Sequence, residues 1–506
     1  MAAPATVRGE PVATSHWPKG AGKAATTALT RVARKPAGDM GLRLDASVGA
    51  YRCCGVASCR HPFAAAVFTG ATLIQSDRRF ACPGLYRIVP SLDGGICRIK
   101  LPLGRLNAAQ LRALGKLAAT HGLPDIELTN RANVQIRGVR DGEDDALIAG
   151  LIDAGLAPKS SGADDVRNVM VSPMVGLDPN AILDVSDLAA RALKRLENDT
   201  RYHALSPKFS IQIDGGEDVA MLQHPNDIWL SATTHGRFSF GFAGVPGERT
   251  AGTVANGDAE SALFGLLDHF IGKIGSLNAK GEKITRMRHL LVDESPSALA
   301  SNVPCPVMPA GDWQRDEPMP LGHIGTRRQA DGRFVLGAVP PLGRVGQDMV
   351  QGLAALADQV SGGRIRLTPW QSVMLPDIGE ECLEEASAAL EEMGFITRPD
   401  RTLAATLTCA GSAGCKSGLA DTKTDARALA NEIDGWGVPV FGIHLTGCAK
   451  SCAAPRPAPY TLLGLSPGHY DVFAVRDTAK AGLGERLGHD VTIEQAAKLL
   501  MQREKA

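Results

Sequence analysis

Residues 101–136 read LPLGRLNAAQLRALGKLAATHGLPDIELTNRANVQI, and residues 340–375 read PPLGRVGQDMVQGLAALADQVSGGRIRLTPWQSVML. Laid over each other at an offset of 239 they need no gap. Pro102 falls on Pro341, Gly104 on Gly343, Arg105 on Arg344, Thr129 on Thr368, Val134 on Val373 and, further on, Gly155 on Gly394. A single repeat at fixed spacing implies one supersecondary unit built twice. Apolar residues recur at helical spacing in both copies, at Leu111, Leu114 and Leu117 and at Val350, Leu353 and Leu356. Each copy reads as strand, helix, short strand, strand, helix, which is the alternation of an α+β unit.

A second repeated element follows each copy. KFSIQIDGGED from Lys208 aligns with VFGIHLTGCAK from Val440, pairing Phe209 with Phe441, Ile211 with Ile443 and Gly215 with Gly447. The offset is now 232, so insertions separate the units. The expected order is an extension over 1–78, a small unit over 79–160, a larger α/β module over 161–300, a second small unit over 318–398 and a second module over 399–506. A pseudo-twofold relates the halves.

A chain of 506 residues exceeds what one core supports. With 54 Lys and Arg against 54 Asp and Glu there is no net charge to draw it to nucleic acid or an anionic membrane. Any polyanionic ligand must meet a local basic pocket. The longest apolar run, FAAAVFTGATLI from Phe63, is too short to span a bilayer. The first 60 residues carry nine Lys and Arg but no signal-peptide apolar core, and are expected to be a flexible extension of a cytoplasmic protein. GAGKAAT at Gly20 has neither dinucleotide nor P-loop spacing. The thiols of YRCCGVASCRH (Cys53, Cys54, Cys59, with His61) are read as unligated.

Eleven cysteines without a secretory signal raise metal before disulfides. Four concentrate in one half, as Cys409-x5-Cys415 and Cys448-x3-Cys452, whereas the other half has Ser172 and Gly215–Gly216 at the matching places. Thiolates suit an iron–sulfur cluster or zinc, and the five-residue gap is wide for a zinc knuckle. Gly411, Gly414, Gly418 and Gly447 leave the backbone free to wrap a bulky group. Cluster, zinc and buried free thiols all remain open on spacing alone.

C-x5-C followed by C-x3-C in a twice-repeated chain resembles the sulfite and nitrite reductase superfamily. The resemblance runs over residues 80–475 and includes TNRANVQIRGV from Thr129, RNVMVSP from Arg167 and SPKFSIQID from Ser206. It implies an α+β fold made of a duplicated ferredoxin-like half-domain plus a larger α/β module, with a [4Fe–4S] cluster on Cys409, Cys415, Cys448 and Cys452. Within that superfamily, residues 81–104, GCAKSCAAP and CKSGLADTK are similar to the precorrin-3B synthase family. Reductases of the superfamily tend to carry GCPNGC where this chain has Ala449, Lys450 and Ser451. They also place a basic or amide residue where Ser210 follows Lys208.

The precorrin-3B synthase likeness implies a monooxygenase. It would use dioxygen and NADH-derived electrons, delivered by a separate donor or reductase, to hydroxylate C20 of precorrin-3A and close a γ-lactone. It also implies an additional non-haem iron whose ligands the sequence does not name, with His444 a candidate. Sirohaem belongs to the alternative reading, a sulfite or nitrite reductase. A polycarboxylate tetrapyrrole needs converging Arg and Lys groups. On an extended run Arg131, Asn133, Gln135 and Arg137 would share one face while Ala132, Val134 and Ile136 face the core. Arg167 and Lys208 match cleft positions of the superfamily, and Thr368, Trp370 and Gln371 are second-copy counterparts.

Overall fold

The computed structural model describes residues 82–278, 284–475 and 482–505. The extension, with its Gly20 stretch and the Cys53, Cys54, Cys59 and His61 cluster, lies outside the described residues. The described residues belong to one compact unit.

Four five-stranded sheets organise that unit, in two matched pairs. The first small sheet takes Val89–Ser91, Gly94–Ile99, Val134–Val139 and Ile126–Leu128 from copy one, then Arg344–Val345 from copy two. The second takes Gly325–Arg328, Phe334–Ala338, Val373–Ile378 and Arg364–Leu367 from copy two, then Arg105–Asn107 from copy one. Each copy therefore covers the other's open sheet edge, in registers Arg344↔Glu127 and Arg105↔Arg366. The exchange fuses both copies into one core that runs from Leu85 to Phe395. Helices Ala108–His121 and Gln347–Val360 pack across it, so closely at Gly115 that a Cβ there would sit 2.7 Å from Val350 Cγ1.

The backbone keeps the repeat even where the side chains have diverged. Left-handed φ angles recur at the same offset in Leu103 and Leu342 (53° and 57°), Ala132 and Gln371 (54° and 57°), and Gly138 and Asp377 (65° and 67°). Ala132 corrects one expectation. Its left-handed turn ends the extended run, so the strand begins at Val134 and the row Arg131, Asn133, Gln135, Arg137 does not share one face. Gln135 and Arg137 point together from the strand, while Arg131 and Asn133 belong to the turn before it.

The larger modules also match. Val169–Met170, Ile211–Asp214 and Asn226–Thr233 run parallel, then Arg237–Gly244 and Thr250–Ala255 return antiparallel. Thr406–Thr408, Ile443–Thr446 and Tyr460–Ser466 run parallel, then His469–Ala474 and Glu485–Thr492 return antiparallel. The registers Val169↔Ile211 and Thr406↔Ile443 place Ser172 where the second module has Cys409. Among the described residues no helix is long and apolar enough to cross a membrane.

Candidate cluster site and basic cleft

Cys409 follows the strand Thr406–Thr408, and Cys448 and Cys452 follow Ile443–Thr446. The strands are parallel neighbours, with Thr408 beside Leu445, so both loops leave the same end of the sheet. That end of a parallel sheet is where α/β folds bind ligands. The one-turn helix Gly411–Gly414 then brings Cys415 back to the same loop cluster.

The loops pack backbone against backbone. Leu419 N–H bonds the Gly447 carbonyl at 2.8 Å, and a Cβ on Gly418 would lie 2.4 Å from the Gly411 carbonyl carbon. Gly411 and Gly447 donate their N–H groups to Cys409 Sγ at 3.4 and 3.2 Å, as suits a thiolate acceptor. Burial raises the Cys452 thiol above its ordinary pKa, and Cys448, Cys409 and Cys415 raise it further. The four sulfurs thus share one electrostatic neighbourhood. Among the described residues no three Cys, His, Asp or Glu side chains are set to grip a single ion. A mononuclear zinc site would need sulfurs all within about 2.3 Å of one centre. Four cysteines on adjoining loops, with backbone amides donating to one of them, are a donor set that could hold an iron–sulfur cluster.

The first module repeats this geometry without thiols. Ser172 Oγ accepts the Met174 N–H at 2.9 Å, as Cys409 Sγ accepts that of Gly411. Leu183 N–H bonds the Gly215 carbonyl, as Leu419 bonds Gly447.

Residues of the first small sheet hold the cysteine loops. Arg137 pairs with Asp93 through two bonds of 2.8 and 2.9 Å and donates to the Gly414 carbonyl at 2.6 Å. Ser91 Oγ donates to the same carbonyl at 2.6 Å. Asn130 donates its amide to the Ala453 carbonyl at 3.0 Å, beside Cys452.

Behind them runs a buried charged chain. Arg98 donates to Gln135 at 2.9 Å and Gln135 donates to Glu127 at 3.2 Å. Glu127 pairs with Arg344 at 3.2 Å and Lys423 at 3.8 Å. Arg98 Nε is sealed from solvent without a partner and Cys452 is one of the charges it feels; Lys423 feels Cys409. Arg98, Asn130, Glu127 and Lys423 were not singled out from sequence. Lys423 does end the signature CKSGLADTK, and Arg98 lies two residues before Lys100 on one strand face.

A small crevice gathers Arg131, Asn133 and Arg167 around Gly104. Arg131 donates to Asn226 Oδ1 at 2.6 Å and the Pro225 carbonyl at 3.1 Å, and burial with Arg286 nearby pushes it down to about 10. Asn133 Oδ1 accepts the Leu101 N–H at 2.8 Å. Arg167 pairs with Glu197 and reaches the Lys100 and Leu156 carbonyls. Lys100 Nζ bonds the carbonyls of Asp164 and Asp165 at 2.8 and 3.1 Å. Lys208 is exposed, and Ser210 is buried with its hydroxyl unpartnered.

The second-copy residues fall elsewhere. Thr368 is buried and shares a 2.5 Å hydrogen bond with Ser372, closing a turn. Trp370 and Gln371 line a different cavity, because the pseudo-twofold carries them to the opposite side of the dyad. His444 is buried on its strand, its Nε2 without a partner, and burial pushes it down to about 4; among the described residues no ligand set gathers around it.

Comparison with known proteins agrees with this architecture. The family model described as "Nitrite/Sulfite reductase ferredoxin-like half domain" matches residues 90–154 and 327–393. The "Nitrite and sulphite reductase 4Fe-4S domain" matches residues 162–261, the module whose cysteines are missing. A chloroplastic ferredoxin–nitrite reductase of Zea mays is 28% identical over 424 residues, covering 78% of this chain and 73% of its own. A precorrin-3B synthase of Sinorhizobium sp is 27% identical over 407 residues, covering 79% and 83%. The solved structure of the Mycobacterium tuberculosis NirA protein superposes with a TM-score of 0.63 at 22% identity, covering 80% of this chain and 79% of that one.

Proposed function

We propose, on the premise that this chain belongs to the sulfite/nitrite reductase superfamily of oxidoreductases, that it converts precorrin-3A to precorrin-3B in aerobic cobalamin biosynthesis. Cys409, Cys415, Cys448 and Cys452 are assigned as ligands of a [4Fe–4S] cluster, whose chemistry is one-electron relay. Electrons come from a separate donor protein.

Ser210 carries the choice of substrate. It is buried and uncharged, two residues after Lys208. A site built to hold a small inorganic dianion favours a further cation there, since a desolvated anion needs paired charge. A large tetrapyrrole spreads its carboxylates over several distant groups and does not need that one. Arg131, Arg167 and Lys208, on separate elements of the first half, are proposed to hold the peripheral carboxylates. Asn133, Gln135 and Arg137 act behind them, fixing the turn at Leu101 and the loop at Gly414. The Sinorhizobium relative supports this reading.

The nitrite and sulfite reductases of similar identity support a second reading, sirohaem-dependent reduction of sulfite or nitrite. Purified protein separates the two. Oxygen uptake that depends on added precorrin-3A, with cluster absorption alone, is expected. Sirohaem bands together with nitrite or sulfite reduction by a reduced viologen would reverse the assignment.

A further inference from the structure

The duplication gives the basic cleft a counterpart whose charges have been removed. Lys100, Arg131, Arg167 and Lys208 fall, by the two sheet registers and the repeat offsets, on Val339, Trp370, Ala404 and Val440. The backbone at this second place is kept, with Gly343 and Gln371 repeating the left-handed angles of Gly104 and Ala132. Where the first copy leaves only a crevice of about 20 Å³, the second place opens into a cavity of about 470 Å³. That is the size of a small-molecule site.

Val339, Trp370, Ala404, Leu407 and Phe441 line the cavity with apolar surface. The His323 ring stacks on Trp370, centroids 4.6 Å apart and planes within 4°. His323 and His224 both lie in the wall, nearly sealed from solvent, and each leaves Nδ1 without a hydrogen-bond partner. Both nitrogens are sealed inside the wall rather than open to the cavity. Burial pushes both imidazoles down to about 3, so they are neutral near pH 7. Arg456, the cation in the lining, is bonded to Glu248 at 2.5 Å. A carboxylated ring would therefore lose its water without gaining a free positive partner. An uncharged one loses little.

We propose that this cavity is a second ligand site, taking an uncharged planar compound of two or three fused rings. The ring lies against the Trp370 and Phe441 surfaces. The site is distinct from the crevice at Gly104, although His224 in its wall lies close to Arg131. It shares a wall with the cysteine loop, since residues 454–459 follow Cys452 directly.

Isothermal titration of the full-length purified chain with menadione, an uncharged naphthoquinone, tests this. One saturable site per chain is expected, weakened at least tenfold in Ala405→Trp, which fills the cavity, and unchanged in Lys208→Ala. Leu407→Trp serves the same purpose if Ala405→Trp does not fold, as judged by circular dichroism. 1,4-Dihydroxy-2-naphthoate, which carries a carboxylate, is expected to bind at least tenfold more weakly. Absence of saturable binding, equal affinity in a folded cavity-filling variant, or equal affinity for the carboxylate would each overturn the proposal.

Discussion

Arg137 crosses from the first small sheet to donate a 2.6 Å hydrogen bond to the carbonyl of Gly414, the residue before Cys415. The same guanidinium is paired with Asp93, and both groups are largely buried. The proposed ligand loop is thus tied to a sheet belonging to the other repeat. Removing one partner of such a pair leaves an uncompensated charge, costing about 3–5 kcal/mol. Arg137→Leu is expected to lower unfolding stability by that order and to reduce bound iron, with Asp93→Leu in the same chain recovering stability but not iron. Denaturant melts and an iron–sulfide count read the two separately.

Ser172 and Cys409 occupy equivalent places, so they test the asymmetry directly. Cys409→Ala is expected to abolish cluster absorption. Ser172→Ala removes a hydroxyl bonded to the Val219 carbonyl at 2.7 Å, costing about 1–2 kcal/mol of stability and no iron.

Lys423 and Glu127 set the charge behind Cys409. Lys423 is buried, bonds the Leu342 carbonyl at 2.9 Å and feels both Glu127 and Cys409. A positive charge there favours the reduced cluster. Lys423→Met is expected to make the reduction potential more negative by on the order of 50 mV, and Glu127→Gln to shift it the other way. A potentiometric titration followed by electron paramagnetic resonance checks both signs.

The duplication was legible because Pro-Leu-Gly-Arg and the matched glycines mark turns whose backbone both copies retain. The proposed cysteine set stands out in the sequence because its spacing is local and its counterpart half lacks it. The exchanged strands were not, since Arg105–Asn107 and Arg344–Val345 are too short to signal their partners. The row from Arg131 to Arg137 misled because a period of two assumes extended backbone, and alanine at position 132 gives no warning of a left-handed turn. Arg98, Glu127 and Lys423 come together only through tertiary packing, and no sequence window contains all three.

His224 and His323 give the fold a pH dependence of defined sign. Each is held near 3, His224 by burial with Arg131 and Arg456 close by, His323 by burial with Arg327. An unfolded histidine titrates near 6.5. Between about 6.5 and 3 the unfolded chain binds protons that the folded one refuses, so stability is full above 6.5 and falls as the pH is lowered. At pH 5 each site accounts for a loss of about 2 kcal/mol. Denaturant melts at pH 7.5 and 5.0 are expected to show a smaller acid loss in His323→Gln than in the parent, and a smaller one again in the double variant with His224→Gln. Other titrating groups cancel in the parent-minus-variant difference. An unchanged difference between the two pH values would mean that these imidazoles are charged, and hydrated, in the folded protein.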